Sequence, residues 1–319
     1  MEPSVNMQID ILLATYNGAA FLPEQLGSLL SQTHTDWRLL VRDDGSTDGS
    51  LQIVKDWARD NDVDCRVVDE GTSNIGASAS FGKLLEASSA PYFAFCDQDD
   101  VWLPTKLEKT LNAIQDAEDT TIGPVLAYCD LVVVDRNLTE IAPSFREFCS
   151  IGTIPTERAI RKLVVQNTVT GCATMGNAAL RETAIPVATE ARMHDWWLAL
   201  VACQFGTIIE INDALILYRQ HGNNTLGAKR LDFAGKIRRI LASPIKIWSV
   251  QSANRRAQMD QARAFHNRFA DRLDDHAKQV LAGYANLESM SLIARRRFIL
   301  QHRFRPQTPL SRLAERLLT

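Results

Sequence analysis

Four short apolar runs, each followed by a polar loop, constrain this chain more than any other feature. Residues 9–14 lead into Thr15-Tyr16-Asn17-Gly18, and residues 37–42 into Asp43-Asp44-Gly45-Ser46-Thr47-Asp48. Residues 66–68 precede the turn Asn74-Ile75-Gly76, and residues 92–96 run into Asp97-Gln98-Asp99-Asp100. Helical patterns fill the gaps: Leu22, Leu26, Leu29 and Leu30 share one face after a start near Pro23, Leu51, Ile53, Val54 and Trp57 mark a second helix, and Phe81, Leu84 and Leu85 a third. Strands alternating with helices at this spacing predict an α/β fold, a parallel sheet with helices on both faces. In such sheets ligands bind at the carboxyl ends of the strands, which is where these polar loops fall.

The fourth run is the most pointed. An apolar strand that ends in three carboxylates within four residues must open toward solvent or a ligand. On an extended backbone Asp97 and Asp99 share a face and could clamp one hard cation, with Asp100 pointing elsewhere. The bland alternative is a solvated acidic turn with Asp100 capping the next helix.

Further along, residues 106–114 read as a helix after Pro104 and residues 125–134 as a strand. The signal weakens from 136 to 165. Residues 167–177 are small and polar enough to pass close to a ligand or to form a tight turn. His194-Asp195-Trp196-Trp197 opens an apolar helix, with Asp195 placed either to cap it or to do chemistry. One of the two tryptophans suits a sugar face, and the other suits the core. Two strands are expected at 207–211 and 214–218, the second ending in Arg219-Gln220-His221-Gly222-Asn223-Asn224.

Charge divides the chain into two regions, 1–227 and 228–319. The first carries 16 Lys/Arg against 31 Asp/Glu, the second 19 against 7. In the second, Arg238, Arg239, Arg255, Arg256 and Arg295-Arg296-Arg297 alternate with apolar residues, a pattern of basic helices that suits an anionic membrane surface or packing on the first region. An acidic first region argues against nucleic acid as a partner. Six cysteines without a CxxC pair read as reduced core thiols. With no basic and apolar leader and no apolar run near ~20 residues, a cytoplasmic protein is expected, at most peripheral on the inner face of the membrane. The chain has no G-x-G-x-x-G and no G-x-x-x-x-G-K-[ST], which argues against a dinucleotide-dependent dehydrogenase and a P-loop NTPase.

From residue 9 to residue 224 these motifs, in this order, resemble glycosyltransferase family 2, the inverting nucleotide-sugar transferases. Cys-Asp-Gln-Asp-Asp-Val-Trp together with Tyr-Arg-Gln-His is similar to rhamnosyltransferase-like bacterial enzymes of surface polysaccharide assembly. The resemblance implies a GT-A fold, a Rossmann-like mixed sheet flanked by helices, here with a basic helical extension. It implies that Thr15, Tyr16, Asn17 and Asp43, with Asp44 and Asn74, line the nucleotide site. Asp97 would contact ribose or metal-bound water, Asp99 would coordinate Mn²⁺ or Mg²⁺, and His221 would complete the metal shell. Asp195 would be the catalytic base. Implied partners are a dTDP- or UDP-sugar donor and a glycan or polyprenyl-linked glycan acceptor. The family often has Glu-Asp where this chain has His194-Asp195, which leaves the role of His194 open. A sugar nucleotidyltransferase and a catalytically silent carbohydrate- or lipid-binding member of the fold are the alternatives.

Overall fold

The computed structural model describes residues 7–69, 73–154, 159–221, 244–302 and 304; at 244–251 it describes the helix but not the side chains. The boundary expected near 228, the residues Arg238 and Arg239, and Gly222-Asn223-Asn224 lie outside the described residues.

The first half alternates as expected: β1 (Ile9–Thr15), α1 (Leu22–Leu30), β2 (Trp37–Asp43), α2 (Ser50–Asp60), β3 (Cys65–Val67), α3 (Ala77–Ala87) and β4 (Tyr92–Asp97). Then follow β5 (Val101–Trp102), α4 (Lys106–Glu118), β6 (Val125–Val134), β7 (Glu140–Ala142) and the short helices α5 (Phe145–Cys149) and α6 (Ala159–Leu163). A 3₁₀ turn at Gly171–Ala173 leads into β8 (Thr174–Asn177), α7 (Ala178–Ala184), α8 (His194–Phe205) and β9 (Thr207–Arg219). The C-terminal region contains α9 (Pro244–Phe269), α10 (Asp275–Ala285) and α11 (Leu292–His302).

The strands form one sheet in the order β3-β2-β1-β4-β8-β6-β9-β5, with β7 beside β6. β1 to β4 are parallel, whereas β8 runs antiparallel to both β4 and β6, so the sheet is mixed. Where two strands were expected at 207–218, one continuous strand runs through. Its register against β6 shifts around Asp130, so a bulge absorbs the polar Asn212-Asp213 pair that reads as a break in sequence.

Alternation along β1 separates the two cores. Ile9, Ile11 and Leu13 join α1, α4 and Trp102 on one face, while Leu12 joins Phe81, Phe93, Phe95 and α8 on the other. Helix α8 is buried from His194 through Ala202, apolar around its whole circumference. It lies between the sheet and α9, where Trp197 meets Phe265 edge-on at 5.2 Å and Phe269 packs against both. Met259, Phe265 and Phe269 of α9 and Val280 and Leu281 of α10 share one hydrophobic cluster with α8 and the sheet. Replacing Phe265 by Ala is expected to cost ~3–5 kcal/mol of unfolding free energy, read from the urea midpoint.

Candidate active site

β1, β2 and β4 end level. Thr15 sits opposite Asp43, and Ala14 opposite Asp97, so their loops open at one edge. Thr15 Oγ1 donates to Asp43 Oδ2 at 2.8 Å, and Asp43 Oδ1 accepts the amides of Gly45 (3.0 Å) and Ser46 (2.7 Å). Asn17 (φ +48°) locks its turn to the neighbouring loop, its amide donating to Ser46 Oγ and its Oδ1 accepting from Thr47 N, both at 2.9 Å. The Tyr16 ring is half exposed, while its backbone is gripped on both sides by Gln98, which accepts from Tyr16 N (2.8 Å) and donates to Tyr16 O (3.1 Å). A Cβ on Gly18 would lie 2.1 Å from Gln98 Oε1, so the clamp requires glycine there.

Asp44 is spent internally. Its carboxylate takes Arg42 (2.6 Å) and the amides of Ile75 and Gly76 (2.8 Å each), and it fixes the loop that carries the exposed Asn74.

Past Asp97 the backbone departs from the extended expectation. β4 stops there and the chain turns at Gln98-Asp99, so Asp97 meets Asp100 rather than sharing a face with Asp99. One ligand atom each from Asp97, Asp100 and Cys172 lie within 4.8 Å of one another. Asp99 instead pairs with His221, Oδ2 to Nε2 at 2.6 Å, and the imidazole stacks on Phe21 at 4.5 Å. Arg219 holds the turn: its amide donates to Asp100 Oδ1 (3.2 Å), Nε to the Asp99 carbonyl (2.8 Å), and its guanidinium reaches Glu24 (2.5 Å). Burial, then the charges of Asp99 and Asp195, push the Asp97 pKa up to about 7. Burial, then Asp99 and Asp97, likewise raise Asp100, whose Oδ2 is buried without a hydrogen-bond partner. Uncompensated carboxylates of this kind suit a divalent cation. Two candidate donor sets lie at this turn: Asp99 with His221, and Asp97 with Asp100 and Cys172, of which Asp100 and Cys172 were missed in the sequence because Cys172 comes from a distant segment.

Asp195 enters the same edge from the first turn of α8. It is 7% exposed and its pKa is raised to about 7 by burial, against hydrogen bonds from Trp196 N, Gly171 N and the Asn167 side chain. Its charge acts on Asp97, which puts the two carboxylates in one electrostatic site. A Cβ on Gly171 would come 3.3 Å from Asp195 Oδ2 and 3.1 Å from His194 Nε2, so glycine lets the chain pass this close. The small-residue segment 167–177 therefore cradles the aspartate. His194 is buried against Phe81 and Phe95, both ring nitrogens lack partners, and burial pulls its pKa down to about 3, so it is neutral at physiological pH. Neither tryptophan is available to stack on a sugar: Trp196 is buried with Nε1 donating to Leu163 O (2.5 Å), and Trp197 donates to Ala184 O (3.0 Å).

The start of α8 has no side-chain cap at Met193. It is held from α9 instead, Gln261 Oε1 accepting from Arg192 N (2.9 Å) and the Arg192 guanidinium donating to the Asn254 carbonyl (2.9 Å). Tertiary bonds of this range have no local sequence signal.

A model of the family described as "Glycosyl transferase family 2" matches residues 10–185, which span the strand-edge loops described above. The chain belongs to this family. It is similar to the dTDP-rhamnosyl transferase RfbG of Shigella flexneri, 26% identical over 246 residues that cover 72% of this chain and 78% of that relative. Matches to two other curated relatives span only 38% and 40% of their lengths. Among solved structures it is similar to S. aureus TarS 1-349 in complex with UDP-GlcNAc (TM-score 0.59, 17% identity, 92% of this chain and 78% of that one). It is also similar to the mannosyltransferase PcManGT of Pyrobaculum calidifontis in complex with GDP-Man and Mn²⁺ (TM-score 0.51, 21% identity, 92% and 83%). The family member thus has the GT-A fold that its motifs imply.

Asp195 and Asp97 bind protons more tightly folded, at about 7, than at the ordinary 3.8 of an unfolded chain. The folded state then holds more protons between these values, so these two groups make the protein less stable as pH rises from ~4 to ~7. His194, with its pKa held at about 3, acts in the opposite sense over this range, so the test is a difference: in urea unfolding at several pH values the wild type should lose stability relative to Asp195→Asn as pH rises from ~4 to ~7.

Proposed function

We propose that the protein is a metal-dependent inverting glycosyltransferase that moves a sugar, rhamnose as the first choice, from a nucleoside-diphosphate donor to a hydroxyl of a glycan or polyprenyl-linked glycan in cell-surface polysaccharide synthesis. What supports this reading is the family match over residues 10–185 together with a buried Asp195 whose charge raises the proton affinity of Asp97, at the strand edge where Thr15 and Asp43 are hydrogen-bonded.

In this reading the base and ribose of a dTDP- or UDP-sugar lie across the first two loops. Thr15, Tyr16, Asn17 and Asp43 make the wall, and Asp44 keeps the Asn74 loop in place. A buried carboxylate there selects a base by the N–H it can satisfy, since the wrong base leaves the acceptor unpaired. Asp97, Asp99 and His221 would hold Mn²⁺ or Mg²⁺; an imidazole among oxygens favours Mn²⁺. Bound there, the cation would supply positive charge toward the departing diphosphate.

The acceptor hydroxyl attacks the anomeric carbon on the face opposite the nucleoside diphosphate. Asp195 takes the hydroxyl proton as the new C–O bond forms, and the glycosidic bond to the diphosphate oxygen breaks with its electron pair. A single displacement needs one base and no carboxylate nucleophile, in contrast to double displacement. A carboxyl pKa near 7 makes Asp195 a stronger base than an exposed aspartate while it stays largely ionised at slightly alkaline pH. The name of the Shigella flexneri relative supports rhamnose and dTDP, and the UDP-GlcNAc and GDP-Man complexes support a nucleotide-sugar donor.

Calorimetry with dTDP, UDP, GDP and their sugars, each with and without Mn²⁺, tests the donor site. Metal-dependent binding of one series, lost in Asp99→Ala, is expected. In a transfer assay with the preferred donor, Asp195→Asn should lower kcat at least ~10³-fold while donor affinity stays within ~3-fold. Absence of nucleotide binding under every condition would overturn the reading in favour of a silent binding protein.

A further inference from the structure

Helix α11 packs on α10 along one side and leaves the other side exposed. On the inward face Phe298 rests on Gly283 of α10 so closely that a Cβ there would lie 2.2 Å from the ring. Arg295 donates to the carbonyls of Leu287 (2.9 Å) and Glu288 (3.3 Å), and the His302 ring sits 4.5 Å from Phe298. The outward face shows Leu292, Ile293 and Leu300 at 65%, 69% and 74% exposure, interleaved with exposed Arg296 and Arg297. At ~100° per residue these five positions fall within ~140° of the helix circumference. Three of the eight exposed large hydrophobic residues among the described residues lie on this one helix, so the patch is not a random scatter of surface apolar groups.

The sequence from this helix onward is one-sided in charge. From Ser289 to Thr319 the sequence has seven arginines and a single acidic residue, Glu315. The nearest acidic side chain before the helix, Glu288, is paired with Arg256 at 3.4 Å.

We propose that the outward face of α11 docks the protein on an anionic lipid bilayer, with Leu292, Ile293 and Leu300 entering the acyl boundary and Arg296 and Arg297 meeting lipid phosphates. An 11-residue helix is ~16 Å long, too short to span, so it lies in the plane of the interface. Long arginine stems reach the headgroup level while the aliphatic side chains go deeper. A second copy of the chain is the poorer occupant, because isologous pairing would set Arg296 and Arg297 of one copy against the same residues of the other. Docking goes beyond the donor reading and is independent of it, because vesicle binding needs no nucleotide. If both hold, the catalytic site works beside a membrane-borne acceptor.

The test uses the full chain, sedimented with phosphatidylcholine vesicles with or without ~30 mol% phosphatidylglycerol at ~0.1 M salt. Partition onto the anionic vesicles alone is expected. Arg297→Glu, and separately Leu292→Ser with Ile293→Ser and Leu300→Ser, should each weaken it about tenfold or more, with the far-UV spectrum of each variant matching the wild type. No partition of the wild type, or variants that partition like it, would overturn the proposal. So would light scattering that shows a dimer lost in the leucine-isoleucine variant together with no vesicle binding, an outcome that would assign the face to a second copy.

Discussion

A buried carboxylate destabilises a fold unless donors or a cation meet it, and the way this chain treats its buried aspartates organises the molecule. For Asp10, burial alone would raise the pKa, but Arg38, the amides of Ala90 and Ser89 and the Ser88 hydroxyl outweigh it and hold the group below its usual range. Asp44 is treated alike, with Arg42 and two loop amides overcoming its burial. These are structural latches, each completed inside the protein. Asp97, Asp100 and Asp195 are not completed: burial dominates, like charges adjoin, and their proton affinities rise. The fold satisfies its carboxylates wherever it can and leaves this group short at one edge of the sheet.

That edge exists because of register. Parallel pairing of β1 with β2 and β4 brings Thr15, Asp43 and Asp97 level, and the loops then tie to one another through Gln98, Asn17 and Ser46. Asp195 arrives from the other side, on a helix so thoroughly buried that its position is set by what surrounds it. Trp197 against Phe265, Trp196 on the Leu163 carbonyl and Gln261 on the Arg192 amide fix that helix from three directions. The basic C-terminal region thereby contributes to the geometry of the site through α9, while α11 turns its own outer face away from the body. Removing the whole region would therefore strip the core from α8 as well as any surface-binding helix, so its two contributions separate only through point substitutions.

Much of this was legible in the chain. The β/α alternation, the loops at strand ends and the apolar helix after His194 come from local periodicity and composition, which act over a few residues and are written in order. The strand 125–134 reads as it folds. Two strands were expected where β9 is one, because a bulge accommodates polar residues that look like a break. The extended expectation for the backbone at Asp97 to Asp99 gives way to a turn at Gln98-Asp99, which bonds Tyr16 in the loop after β1 and Arg219 at the end of β9, both far along the sequence.

The sequence by itself determined which residues are acidic, which segments are strands or helices, and that the acidic loops follow strands, since these depend on side-chain chemistry and short-range backbone preference. Only the tertiary structure decided which carboxylates would be neutralised and which left raised, that Asp99 would face His221 while Asp97 joined Asp100 and Cys172, and that Asn167 and Gly171 would hold Asp195. Those outcomes depend on desolvation and on donors brought from distant segments, quantities that come into being only when the chain has closed on itself.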